Sequence, residues 1–397
     1  MSTNLISLIN ARIPGKNGLY RLLIDKCGLL VDVSEVSVEI DSHIIDANTI
    51  DLAGDWISSG GVDLQINGGL GLAFPDLTAD NAYMCANICK YLWSCGVDGF
   101  TPTLVTTSVE KIQSTLAVIA AYMDHATSDG DQESAQILGV HLEGPFLNPQ
   151  KRGAHPEEYL LPLTQANIQR VLGDYAHIVK IMTLAPEMDE TGDAIAYLRS
   201  LGITVSLGHS LATAEQAMTA FDQGATMVTH AFNAMPSLHH RQPGLLAAAI
   251  THPQVMCGFI ADGEHVVPMM VDVLLRASNY QGGLFLVSDA LAPLGLGDGI
   301  YPWDERQIEV KNGTARLLDG TLSGTTLPLL VGVENLVKWG ICSPEQAILM
   351  ATVAPRRAIG LPEMVINHIS AHNLLRWHYD ADTQEISWQR LVRNLSV

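Results

Sequence analysis

The strongest constraint in this chain is an alternation. From Trp56 to Asp289, short β-rich runs ending in Gly, Asn, His or Asp are each followed by a helix-like stretch. Such alternation dictates βαβ units and a parallel sheet. The runs fall at 56–67, 96–106, 137–143, 178–186, 203–209, 227–230, 255–262 and 284–289. Eight is the number that closes a (β/α)8 barrel, which typically occupies about 250 residues. The 397 residues therefore accommodate one α/β barrel of the TIM type and a smaller unit.

The smaller unit is read from both ends. Residues 1–55 carry short alternations such as Ser37-Val38-Glu39-Ile40 and no long helical stripe. Beyond Gly360 the pattern is β-like again, with Trp377-His378-Tyr379 and Glu385-Ile386-Ser387-Trp388. The expected organisation is a small β-sandwich from residues 1–55 and 360–397 beside a barrel at 56–359. Within 308–318, Asn312-Gly313 signals a tight hairpin, read as an excursion after the last barrel strand.

Charge decides which partners are excluded. Lys and Arg number 22 against 42 Asp and Glu, a net charge of −20, and no dense basic run exists. A nucleic-acid backbone would be repelled. Mean hydropathy is +0.19, but the most apolar stretch, 245–261, contains His252, Pro253 and Gln254. It falls short of the ~20 apolar residues of a membrane span and reads as a buried helix followed by a strand. Met1-Ser2-Thr3-Asn4 lacks the basic start of a secretory signal, so the expectation is a cytoplasmic protein. The cysteines at 27, 85, 89, 95, 257 and 342 match neither a disulfide framework nor a zinc ribbon. Cys85 and Cys89 share a helix face and are assigned to the core.

A barrel places its active site at the C-terminal ends of its strands. Here strand three ends His141-Leu142-Glu143-Gly144-Pro145, strand five Leu207-Gly208-His209-Ser210, and strand six Val228-Thr229-His230. Any one of these histidines alone is more readily a satisfied core residue. Glu143, His209 and His230 together offer one carboxylate and two imidazoles, a set that leaves a fourth position for water on a tetrahedral ion. Strand eight ends Val287-Ser288-Asp289, placing an acid across the mouth that can take a proton from water and return it to a leaving group. Arg241 and His265 follow strands six and seven, where they could hold an anionic part of a substrate. The doublet His239-His240 is read as a solvated loop, and His368, His372 and His378 as surface residues.

These segments resemble the N-acetylglucosamine-6-phosphate deacetylases of the amidohydrolase superfamily. The resemblance runs through Gly61-Val62-Asp63-Leu64-Gln65-Ile66-Asn67, the Glu143 and His209 segments, His230-Ala231-Phe232-Asn233-Ala234-Met235-Pro236, Asp262-Gly263-Glu264-His265, Ser288-Asp289-Ala290 and Leu322-Ser323-Gly324. It covers about residues 50–360. It implies metal-dependent hydrolysis of the 2-acetamido group of a 6-phosphorylated amino sugar, with Glu143, His209 and His230 as metal ligands and Asp289 as general base and acid. His155 would polarise the acetyl carbonyl or stabilise the oxyanion. Ala154, Asn233, the backbone of Ala234, Arg241, His265, Leu322, Ser323 and Gly324 would line the substrate. Two-metal relatives carry a His-x-His pair on strand one, where this chain has Gln65 and Asn67, so these mark a vestigial second metal position.

One divalent ion per chain is therefore expected, zinc first, with Fe2+, Co2+ or Mn2+ able to substitute. The further expectations are a small phosphorylated amino sugar as partner, no nucleic acid, no membrane, and a homodimer or homotetramer. The galactosamine epimer is the alternative substrate, and a non-catalytic sugar-phosphate sensor the alternative of a different class. The chain departs from the family at Ser59-Gly60-Gly61-Val62-Asp63 and near its C-terminal end, away from the expected ligands.

Overall fold

The computed structural model describes residues 5–36, 48–129, 133–278, 282–362 and 369–391. The alternation at Val38 and Ile40, and His368, lie outside the described residues.

Eight parallel strands follow one another in chain order: Gly61–Ile66, Val97–Val105, Val140–Glu143, Val179–Leu184, Thr204–Leu207, Met227–Val228, Met256–Phe259 and Leu284–Leu286. The ring is completed at its C-terminal rim, where Asp289 N–H donates to Gln65 O at 2.9 Å and Asn67 N–H to Ala290 O at 2.7 Å. The strands are nearly continuous buried runs because helices cover the outside and side chains fill the inside. Helix starts are set by local chemistry: Thr213 with Gln216, and Ser343 with Gln346, form reciprocal capping boxes. The 245–261 stretch resolves as expected into a buried helix, Gly244–Thr251, and the seventh strand. No helix among the described residues is long and apolar enough to cross a membrane.

The first sequence run is divided. Trp56–Ser59 pairs antiparallel with Leu374–Asp380, outside the barrel, and Gly61–Ile66 alone is the first barrel strand. Gly60 separates them because a Cβ there would stand 2.3 Å from the Asp98 carboxylate, which accepts the Gly60 N–H at 2.7 Å. Around the barrel's edge, a four-stranded N-terminal sheet and the three-stranded sheet containing Trp56–Ser59, Leu374–Asp380 and Glu385–Arg390 share one core, including Leu8, Leu22, Leu30, Ile57 and Leu374. Buried Arg390 ties this unit to the barrel through Asp98 at 2.6 Å and lies over Trp93 at 4.5 Å.

After the eighth strand the chain leaves the barrel as a four-stranded antiparallel sheet, Gly299–Trp303, Arg306–Lys311, Thr314–Leu317 and Leu322–Thr325. Asn312-Gly313 makes its central turn, at φ of +51° and +80°, the left-handed values a two-residue hairpin demands. The last strand returns to the rim: Thr325 N–H donates to Asp289 O at 3.2 Å, and Leu291 N–H to Thr325 O at 2.9 Å.

Candidate active site

The strand ends converge on a cavity of about 1180 Å³ at the C-terminal mouth. His209, His230 and Asp289 leave their strands with φ of +48°, +31° and +48°. Non-glycine residues adopt this region at a cost, and such costs gather at functional sites. Here the turn follows directly on a buried strand, and all three side chains line the cavity.

Glu143 Oε1 lies 3.2 Å from His209 Nε2 and 3.1 Å from His230 Nε2, and the two imidazole nitrogens stand 3.0 Å apart. His209 Nδ1 is 2.8 Å from Lys151 O. A carbonyl only accepts, so in the neutral ring Nδ1 carries the proton and Nε2 offers a lone pair to the cluster. His230 Nδ1 is buried with no hydrogen-bond partner among the described residues, and its Nε2 faces Glu143 and His209. A carboxylate oxygen and imidazole lone pairs repel at these separations unless a cation or proton lies among them. The donor set suits a divalent metal ion. Burial works to raise the Glu143 carboxyl, but in the ion-free cluster, where protonated imidazoles take the cation's place, the Nε2–H bonds and charge of His209 and His230 hold it well below the usual carboxylate range.

By spacing alone, Glu143, His155 and His209 also qualify, with one donor atom from each inside 4.8 Å. The hydrogen bonds of His155 argue otherwise. Its Nδ1 accepts the Thr106 backbone N–H at 3.3 Å and lies 2.9 Å from Thr106 Oγ1. Since a backbone amide only donates, Nδ1 holds the lone pair and the proton sits on Nε2. Burial, helped by the charge of His209, pushes the imidazole down to about 3, so the ring is neutral. A neutral Nε2–H is a hydrogen-bond donor, suited to an oxyanion rather than to ligation. Thr106 is the residue that sequence reading missed; its only signal was a hydroxyl at the end of the second run.

Asp289 sits opposite. Its Oδ1 accepts Asn67 Nδ2 at 2.7 Å and Gln65 Nε2 at 3.2 Å, and the same Gln65 Nε2 is 3.1 Å from Glu143 Oε1. The Gln65 amide thus bridges the two carboxylates. Burial, then the charge of Glu143, pushes the Asp289 carboxyl up to about 6.

Among the expected substrate residues, Ala154, Asn233, Ala234, His265, Leu322 and Ser323 line the cavity. His265 is oriented by Asp262, Oδ2 to Nδ1 at 2.7 Å, which leaves Nε2 for a ligand. Arg241 is exposed and lies outside the cavity walls. Gly324 does not line it either: a Cβ there would stand 2.8 Å from Asp289 O, so its role is close approach of the returning strand. His239 and His240 are exposed as expected, and Cys85 and Cys89 are buried.

No protein-family model matches the chain. Curated relatives do. It is 38% identical over 365 residues to the N-acetylglucosamine-6-phosphate deacetylase of Bos taurus, covering 90% of this chain and 87% of that one. To the enzyme of the same name from Vibrio furnissii it is 36% identical, covering 79% and 76%. Among solved structures, a mutant N-acetyl-D-glucosamine-6-phosphate deacetylase from Mycobacterium smegmatis, in complex with N-acetyl-D-glucosamine-6-phosphate, superposes with a TM-score of 0.83 at 27% identity, covering 98% of each chain. An N-acetylgalactosamine-6-phosphate deacetylase of Escherichia coli O157:H7 is 32% identical over 76% of this chain and 77% of that one. With the barrel and its strand-end cluster in place, these likenesses settle the family: the chain belongs to the N-acetylglucosamine-6-phosphate deacetylases.

Proposed function

We propose that the protein hydrolyses the acetamido group of N-acetylglucosamine 6-phosphate, releasing acetate and glucosamine 6-phosphate. The observation that carries the reading is one mouth holding a carboxylate–imidazole cluster, a neutral Nε2–H donor and a second carboxylate, in a chain 38% identical to a deacetylase over most of both lengths. The chain is an enzyme acting on a linear amide.

Glu143, His209 and His230 would hold one divalent ion, zinc being the favoured occupant. Such an ion acidifies water and polarises a carbonyl. Asp289, steadied by Gln65 and Asn67, takes a proton from the attacking water as the new C–O bond forms. His155 Nε2–H donates to the carbonyl oxygen as negative charge develops there. When the C–N bond breaks, Asp289 returns the proton to the departing amine, and the carboxylate is restored. Ala154, Asn233, Ala234, His265, Leu322 and Ser323 are proposed to hold the sugar and its phosphate. Arg241 is proposed as a phosphate reader, which requires its exposed loop to be brought to a mouth, whether of its own chain or of a neighbouring subunit. A cytoplasmic homo-oligomer is the proposed setting, with the terminal segments and the barrel as its two units. The galacto epimer remains a second substrate reading, supported by the likeness to the Escherichia coli deacetylase.

The test is acetate release measured side by side on the two N-acetylhexosamine 6-phosphates and their unphosphorylated forms. Turnover of the gluco 6-phosphate well above the others is expected. Absence of acetate from all four with metal supplied would end the reading.

A further inference from the structure

The four-stranded sheet that leaves the barrel after the eighth strand lines part of the cavity and is tied to the site by hydrogen bonds at both of its ends. At its base, Thr325 N–H donates to Asp289 O at 3.2 Å. At its far end, the turn between Trp303 and Arg306 reaches over the cavity, and Arg306 Nη2 donates to Ala154 O at 2.9 Å, 152 residues away in sequence. Ala154 is the neighbour of His155.

Arg306 is fixed before it reaches across. Its Nε donates to both Asp304 oxygens, at 2.9 and 3.2 Å, and its guanidinium lies 5.3 Å from the centre of the Trp303 ring. Asp304 holds φ at +49°, a left-handed value that aspartate tolerates, and its side chain also accepts the Arg306 N–H at 2.9 Å. Below the tip, Ile308, Val310, Ala315 and Leu291 form a buried core that stiffens the sheet. The segment around His155 has little regular structure of its own, only 3-10 turns at Pro149–Lys151 and Glu157–Tyr159.

We propose that Arg306 is a positioning residue for the deacetylation, fastening the His155 segment across the mouth so that the imidazole Nε2–H meets the acetyl carbonyl. One rigid sheet then sets the spacing between Asp289 and His155, groups from opposite sides of the barrel. This rests on the oxyanion role proposed for His155.

The experiment is a double-mutant cycle. Arg306→Ala and Arg306→Lys are assayed for acetate release in the parent and in a His155→Gln background, with metal content and melting midpoint recorded for each. Arg306→Ala is expected to lower kcat about tenfold, the scale of one charge-assisted hydrogen bond, with KM changed less than about threefold. Arg306→Lys should recover part of the loss, and the melting midpoint should hold because the tip is half-exposed. In the His155→Gln background the Arg306→Ala loss should vanish. Equal losses in both backgrounds, no loss at all, or a change confined to KM would each overturn the proposal. A His155→Gln single variant with parental kcat would instead remove the role of His155, a result read independently of Arg306.

Discussion

Asn67 Nδ2 donates to Asp289 Oδ1 at 2.7 Å, so an uncharged amide is the nearest partner of the proposed proton carrier. Gln65 adds a second amide on the same oxygen and joins it to Glu143. Two carboxylates pointed at one cavity are bridged and oriented by N–H donors.

A single metal equivalent should therefore restore full activity. Stripping the protein with chelator and titrating zinc back, with bound metal counted by elemental analysis, is expected to give a rise that ends at about one ion per chain. Activity that appears only as a second equivalent binds would show that Gln65 and Asn67 help to build a second site.

Asp289→Asn should keep the fold and the metal but lose turnover. The replacing amide oxygen still accepts from Asn67 and Gln65, yet it cannot take a proton from water. Loss of about 10²–10⁴-fold in kcat is expected. A variant retaining more than about half of the parent kcat at saturating substrate would remove Asp289 from this role.

Arg241→Ala should weaken the 6-phosphorylated substrates and leave the unphosphorylated sugars nearly unchanged, because a guanidinium engages phosphate oxygens bidentately. KM for the phosphorylated substrate is expected to rise by about tenfold or more. Equal damage to both substrate types would mark Arg241 as structural.

Asp63 provides a pH test inside the barrel. Burial pushes its carboxyl up to about 7, against the pull of its hydrogen bonds with Ser288 and Gln65. The folded protein therefore holds this proton more tightly than the unfolded chain does. Relative to a neutral side chain, Asp63 costs nothing below about pH 4, costs progressively more up to about pH 7, and a constant amount above. Asp63→Asn keeps an oxygen for the Ser288 and Gln65 N–H groups and removes the titration. Its stability advantage in urea should grow from pH 4 to pH 7 by something on the order of a few kcal/mol. A difference that stays flat across that interval would show that Asp63 is not held protonated.

The barrel was legible because its cause is local. Strands buried on both faces must be short apolar runs, and each parallel strand needs a crossover, so the eight runs and the polar residues that end them are written in order along the chain. The places of Glu143, His209, His230 and Asp289 at the mouth of the cavity were legible in this way, and Asn312-Gly313 gave the hairpin through its own backbone preference. The division of the first run at Gly60 was not legible, because it depends on the Asp98 carboxylate standing where a side chain would be. The same holds for the role of His155. Its ring could ligate or donate by residue type alone, and the Thr106 amide from a different strand assigns the proton to Nε2. Residue types and their order determine which groups meet at the mouth. Which nitrogen carries a proton, which carboxylate an amide bridges, and whether Arg306 or Arg241 reaches the cavity are decided by contacts between segments far apart in sequence, which only the closed barrel brings together.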